Sequence, residues 1–129
     1  MPAAAKIKAV VVDDQLTMRT LVRSSLQQIG IAYIRDYVGP TDALAALKGQ
    51  GAHVIFSDFN MPDMDGLQFL KAVRADPAMK STAFILLTGR ADKELVQQAA
   101  KFGANNYMVK PFTVATLKLK LEQVFGALT

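Results

Sequence analysis

Cysteine is absent from the 129-residue chain, which leaves neither disulfides nor thiolate metal sites to build with. Histidine occurs once. His53 opens an apolar run about five residues, at ~3.3 Å each, from where that run meets polar sequence, which suits neither a metal ligand nor a phosphorelay histidine. No apolar run approaches the ~20 residues of a membrane span, and Met1 to Lys8 lacks a signal-peptide core. A soluble cytoplasmic protein is expected. A concentrated basic stretch is missing too. Fifteen Lys and Arg against eleven Asp and Glu give a net charge of +4, but the cations are scattered from Lys6 to Lys120. Lys118 and Lys120, two residues apart, fall on different sides of a helix. Such scatter fits solvated helix faces and predicts no nucleic-acid partner.

What the chain does have is apolar residues, 51% of the total. At this length one domain spanning residues 1–129 can bury roughly two-thirds of its unfolded surface. Short β-branched and aliphatic runs at 7–12, 33–38, 53–57, 83–87 and 106–109 alternate with segments of helical spacing. Met18, Leu21, Val22, Ser25, Leu26 and Ile29 form one stripe, closed by Gly30; Val114, Leu117, Leu121, Val124, Phe125 and Leu128 form another. Shorter helices fit 41–48, with Thr41 as N-cap, 66–74, and 92–102, closed by Gly103. Five strands alternating with five helices predict an α/β fold, a parallel sheet covered on both faces. Runs such as Ala9-Val10-Val11-Val12 and Phe84-Ile85-Leu86-Leu87 suit strands buried on both sides.

Ligands of such sheets bind beyond the carboxyl ends of the strands. Asp13 and Asp14 follow the first run, Asp58 the third with Asn60 two residues on, Thr88 and Gly89 the fourth, and Lys110 and Pro111 the fifth. One rim therefore gathers three carboxylates, a hydroxyl and an ammonium. The mutual repulsion of the acids calls for a cation, and Mg2+ takes oxygen ligands of this kind. A phosphoryl group on Asp58 would lie within reach of the metal, Thr88 and Lys110, and aspartyl-phosphates are an established covalent intermediate.

The segments Val10-Val11-Val12-Asp13-Asp14, Asp58-Phe59-Asn60-Met61-Pro62-Asp63-Met64-Asp65-Gly66, Leu86-Leu87-Thr88 and Val109-Lys110-Pro111-Phe112 resemble the receiver domain of two-component response regulators. The resemblance covers essentially the whole chain and is strongest to stand-alone chemotaxis regulators of the CheY type. Thr17-Met18-Arg19, Ser57-Asp58-Phe59-Asn60 and the ending Val124-Phe125-Gly126-Ala127-Leu128 look alphaproteobacterial. The resemblance implies a doubly wound five-stranded parallel sheet of order 2-1-3-4-5, the flavodoxin-like order. It implies Asp58 as phosphoacceptor, Asp13 and Asp14 as the acidic metal pair, and the Asn60 backbone carbonyl as a further ligand of Mg2+. Lys110 would contact the phosphoryl group, across a cis Lys110–Pro111 bond. Thr88 would be the switch hydroxyl and Tyr107 the switch aromatic, with Asn60 and Arg90 modulating phosphoryl lifetime. It further implies a monomer that is no enzyme beyond its own phosphorylation and dephosphorylation. Its partners would be a CheA-like histidine kinase, a flagellar motor switch protein and a phosphatase. Gly89 departs from the alanine common after the switch threonine, and Arg90 replaces an acid of the enteric proteins.

Other readings have weaker support. A haloacid-dehalogenase-type phosphohydrolase requires a second Asp two residues after its nucleophile, but Gln15 follows Asp13 and Asn60 follows Asp58 at that spacing. A receiver of a non-motility pathway, or one that also takes a cyclic dinucleotide through Arg90 and neighbouring cations, keeps the same rim chemistry.

Overall fold

The computed structural model describes residues 3–89 and 92–129. Five strands, β1 (Lys8–Val12), β2 (Tyr33–Tyr37), β3 (Val54–Asp58), β4 (Ala83–Thr88) and β5 (Asn106–Val109), alternate with five helices. The helices are α1 (Leu16–Ile29), α2 (Pro40–Gly49), α3 (Gly66–Ala75), α4 (Lys93–Lys101) and α5 (Val114–Phe125). All strand pairs are parallel and the sheet order is β2-β1-β3-β4-β5. This is the doubly wound α/β fold that the alternating pattern and the resemblance together predict. Among the described residues, no helix is long and apolar enough to cross a membrane.

Side-chain alternation along the inner strands divides the core into two layers. Ala9, Val11, Val54, Phe56, Ile85 and Leu87 pack with Val22 and Leu26 of α1 and with Leu117 and Leu121 of α5. Val10, Val12, Ile55, Phe84 and Leu86 pack on the other face with Ala43 and Leu47 of α2, Phe69, Leu70 and Val73 of α3, and Ala99 of α4. β3 and β4 are buried throughout, β1 from Ala9 onward, whereas β2, at the edge, is half-buried.

Three details differ from expectation. α2 begins at Pro40 with Gly39 preceding it, so Thr41 lies inside the helix and caps nothing; the fixed φ of proline suits a first helical position, where its missing N–H costs no bond. Leu21 is 44% exposed, on the outer edge of the α1 stripe. α5 ends at Phe125, but Leu128 still packs on the core, and its N–H donates to Glu122 Oε2 at 3.2 Å. Other predicted ends hold to within a residue or two. Gly30, at φ 108°, closes α1, and Asp92 caps α4 through Glu94 N–H.

Gly66 governs how α3 meets the sheet. A Cβ there would lie 2.7 Å from Leu86 Cδ1, 2.8 Å from the Asp58 carbonyl oxygen and 3.0 Å from Phe59 Cα. Only hydrogen fits. The helix is fixed at that position by a capping box between Asp65 and Gln68 and by Gly66 N–H donating to Phe59 O at 2.7 Å. The first turn of α3 is thus seated directly against the carboxyl end of β3.

Candidate functional site

The parallel order brings the ends of β1, β3, β4 and β5 to one rim. Register pairs Val12 with Ser57, Asp58 with Leu87, and Thr88 with Val109, so Asp13 and Lys110, just past β1 and β5, and Asp58 and Thr88, the last residues of β3 and β4, arrive at nearly the same level. Asp13 and Asp58 are buried, at 2% and 8% exposure, and Asp14 is exposed. Carboxylate oxygens of all three lie within 4.8 Å of one another. Lys110 enters from the β5 end. Its Nζ lies 2.8 Å from Asp58 Oδ1 and 3.4 Å from Asp13 Oδ2. The Lys110–Pro111 peptide is cis, and Lys110 N–H donates to the Thr88 carbonyl at 2.8 Å.

Backbone donors orient the acids. Asp58 Oδ1 also accepts from Phe59 N–H at 3.0 Å, and Asp13 Oδ1 accepts from Gln15 N–H at 2.9 Å. Burial pushes the Asp13 carboxyl above its ordinary pKa. The Gln15 N–H and the Lys110 ammonium work against that shift, and the neighbouring Asp58 adds to it. The rim therefore holds acid groups at an electrostatic cost that one ammonium does not cancel, an arrangement suited to a hard divalent cation. Its donors are all oxygens, with no imidazole or thiolate among them, which fits Mg2+ chemistry.

Thr88 is buried at the end of β4. With Asn60, Phe59, Gly89, Asp92 and Leu95 it lines a cleft of about 350 Å³ beside the acids. Tyr107 is not part of that cleft. It lies on β5 opposite Leu86, half-buried, with Lys120 Nζ 4.7 Å from its ring centroid. Arg90 lies outside the described residues. His53 sits at the opposite end of the sheet, where Nδ1 accepts from Lys8 N–H at 2.9 Å.

Two supporting residues escaped the sequence reading. Arg19 of α1 donates from Nη1 to the Asp13 carbonyl at 2.8 Å and from Nε to Asp36 Oδ2 at 3.1 Å. Arg74 of α3 donates to the carbonyls of Lys80, Thr82 and Gly103 and to Asn105 Oδ1, tying α3 to the loops before β4 and β5. No local pattern distinguishes either from a solvated helix arginine.

Residues 9–122 match the family described as response regulator receiver domain. The chain is 47% identical over 128 residues to a probable chemotaxis protein CheY of Rhizobium etli, covering 99% of each chain. It is 38% identical over 122 residues to chemotaxis protein CheY-3 of Vibrio cholerae, covering 95% of this chain and 94% of that one. The structure of the chemotaxis response regulator CheY4 of Vibrio cholerae superposes with a TM-score of 0.84 at 35% identity, covering 96% of this chain and 99% of that one. The chain belongs to the response regulator receiver domain family: it is a CheY-like chemotaxis response regulator, a signalling protein rather than an enzyme, with an acidic pocket of Asp13, Asp14 and Asp58 for phosphorylation.

Proposed function

We propose that the single domain, residues 1–129, accepts a phosphoryl group on Asp58 from a CheA-like histidine kinase. The observation that supports this best is the convergence of three carboxylates within 4.8 Å, with the Lys110 ammonium 2.8 Å from Asp58. Asp13, Asp14, Asp58 and the Asn60 backbone carbonyl hold Mg2+, with Asp14 the most accessible carboxylate. When bound, the ion neutralises charge on the transferring phosphoryl oxygens.

In the transfer an Asp58 carboxylate oxygen attacks phosphorus, the P–N bond to the donor histidine breaks, and the imidazole leaves with that electron pair. Lys110, already paired with Asp58, supplies positive charge to the phosphoryl oxygens as they arrive. Hydrolysis of the resulting acyl phosphate returns Asp58 and inorganic phosphate. Asn60, at the mouth of the cleft, and Arg90 set how readily water enters.

The resemblance to receiver domains supports a matching route for output. Thr88 turns its hydroxyl toward the phosphoryl group, and Tyr107 moves into the space it leaves. This reshapes the surface of α4, β5 and α5 for a flagellar motor switch protein, and a phosphatase ends the signal. The protein works as a cytoplasmic monomer, without nucleic acid or membrane insertion. Incubation with acetyl phosphate and Mg2+ tests the central assignment. Asp58→Asn is expected to abolish labelling while leaving a folded domain, and labelling of that variant at parental stoichiometry would remove Asp58 from the role.

A further inference from the structure

The geometry points to Arg19 as a positioning residue for the metal-binding carboxylates, acting through the Asp13–Asp14 peptide; this rests on the Mg2+ site proposed above. Asp14 is exposed, and among the described residues none holds its carboxylate by a hydrogen bond or ion pair. Its direction is therefore set by the backbone that carries it. That backbone is pinned from several sides. Asp13 N–H donates to Tyr37 O at 3.2 Å, Asp13 Oδ1 takes Gln15 N–H, and the Asp13 carbonyl takes Arg19 Nη1 at 2.8 Å. The carbonyl of residue 13 and the N–H of residue 14 belong to one planar unit, so the Arg19 bond fixes the plane from which Asp14 projects.

Arg19 is itself held. Asp36 of β2 receives Arg19 Nε on one carboxylate oxygen and Arg23 Nη1, at 2.9 Å, on the other. Arg23 also donates to the Ile34 carbonyl at 3.2 Å. The planar guanidinium can address Asp36 and the Asp13 carbonyl at once because its donors are spread in a rigid fork, which an ammonium lacks. Arg23 shares the carboxylate but directs its hydrogen bonds to Asp36 and the Ile34 carbonyl rather than to the Asp13 carbonyl, so it provides an internal control.

Positioning and simple electrostatics predict opposite signs. Removing a cation beside a metal site should tighten metal binding by lowering repulsion. Losing an outer hydrogen bond that orients a ligand should weaken it, by about tenfold or more. Mn2+, which accepts the same oxygen donors, can be titrated alone and its free form read by electron paramagnetic resonance, with unfolding curves recorded for every variant. Arg19→Met and Arg19→Lys are both expected to weaken Mn2+ binding about tenfold, and Arg23→Met to stay within about twofold of the parent. The lysine variant keeps the charge and decides the matter if the methionine variant folds poorly. Parental or tighter binding by Arg19→Lys overturns the proposal and leaves the metal site standing. A parent protein that binds no Mn2+ overturns both.

Discussion

Replacing Gly66 with alanine adds one methyl group at the point where α3 meets the end of β3. In an open helix the change would be favourable, by up to ~1 kcal/mol. Here the new carbon would lie 2.7 Å from Leu86 Cδ1 and 2.8 Å from Asp58 O. Neither neighbour is free to retreat: Leu86 is fully buried in the core layer that holds Phe69, Leu70 and Val73 of α3, and the Asp58 carbonyl belongs to a central strand. Overpacking of this kind costs ~1–3 kcal/mol, which outweighs the helical gain. At ~3–5 °C per kcal/mol for a domain of this size, that corresponds to a fall in unfolding midpoint of roughly 3–15 °C. Because the atoms struck include the backbone of Asp58 and Phe59, the displacement also moves the Asp58 carboxylate, the proposed acceptor, relative to Lys110. Labelling by acetyl phosphate should therefore slow in protein that is still folded. Gly49→Ala is the control, since a Cβ there meets nothing within 4 Å; it should stabilise by about 0.4–1 kcal/mol. Urea unfolding followed by far-ultraviolet circular dichroism measures both. A Gly66→Ala protein as stable as the parent, with unchanged labelling, would refute the claim that contact with β3 dictates this glycine.

Asp13→Asn should stabilise the metal-free domain at neutral pH. A carboxyl whose folded pKa lies above its unfolded value binds more protons in the native state, so its contribution falls as pH rises from the unfolded pKa through the folded one. The asparagine variant should lack that decline in urea titrations above the ordinary carboxylate range, and an identical pH profile would contradict the burial argument. Arg74→Met should cost about 2–3 kcal/mol, because the carbonyls of Thr82 and Gly103 lose a charged donor at 2.6 and 2.7 Å. Amide exchange should rise in both loops that Arg74 joins; a change confined to α3 itself would show that the clamp does not couple them.

The inner strands were legible because burial on both faces forces uninterrupted apolar runs, and β1, β3 and β4 have them. β2 was read from weaker evidence. Its sequence, Tyr-Ile-Arg-Asp-Tyr, holds charges that an edge strand can turn toward Arg19 and Arg23 of α1, as Asp36 does. The rim acids were legible because strand ends are where parallel sheets gather function, and three Asp at the ends of two neighbouring strands exceed what capping requires. Thr41 was misplaced because Pro40 competes for the helix start, and proline at a first helical position outweighs a threonine one residue on. The Arg19 and Arg74 contacts were invisible because they join residues distant in sequence to backbone carbonyls. Every residue has a carbonyl, so the acceptor leaves no mark in the sequence, and nothing local sets Arg19 or Arg74 apart among the chain's five arginines.

The charge count at the rim supports the proposal that cation, lysine and phosphoryl group belong to one device. Three carboxylates and one ammonium give a formal charge of −3 + 1 = −2, which a single divalent cation brings to zero. In the proposed transfer, forming the acyl phosphate would replace the charge on Asp58 with that of a phosphoryl group, about −1.5 to −2 at neutral pH. The site with its cation thus passes from near neutrality to a net negative charge of ~0.5–1. That excess is small enough to be met by reorienting neutral donors, the part proposed above for the hydroxyl of Thr88, which is buried at the adjacent strand end. Without the cation the same step would leave more than two unbalanced negative charges in a pocket where burial already holds Asp13 toward its neutral form. Phosphorylation and metal binding are therefore linked: each should raise the affinity for the other by the same factor. The residues that orient the carboxylates, Arg19 among them, act on both equilibria through one geometry.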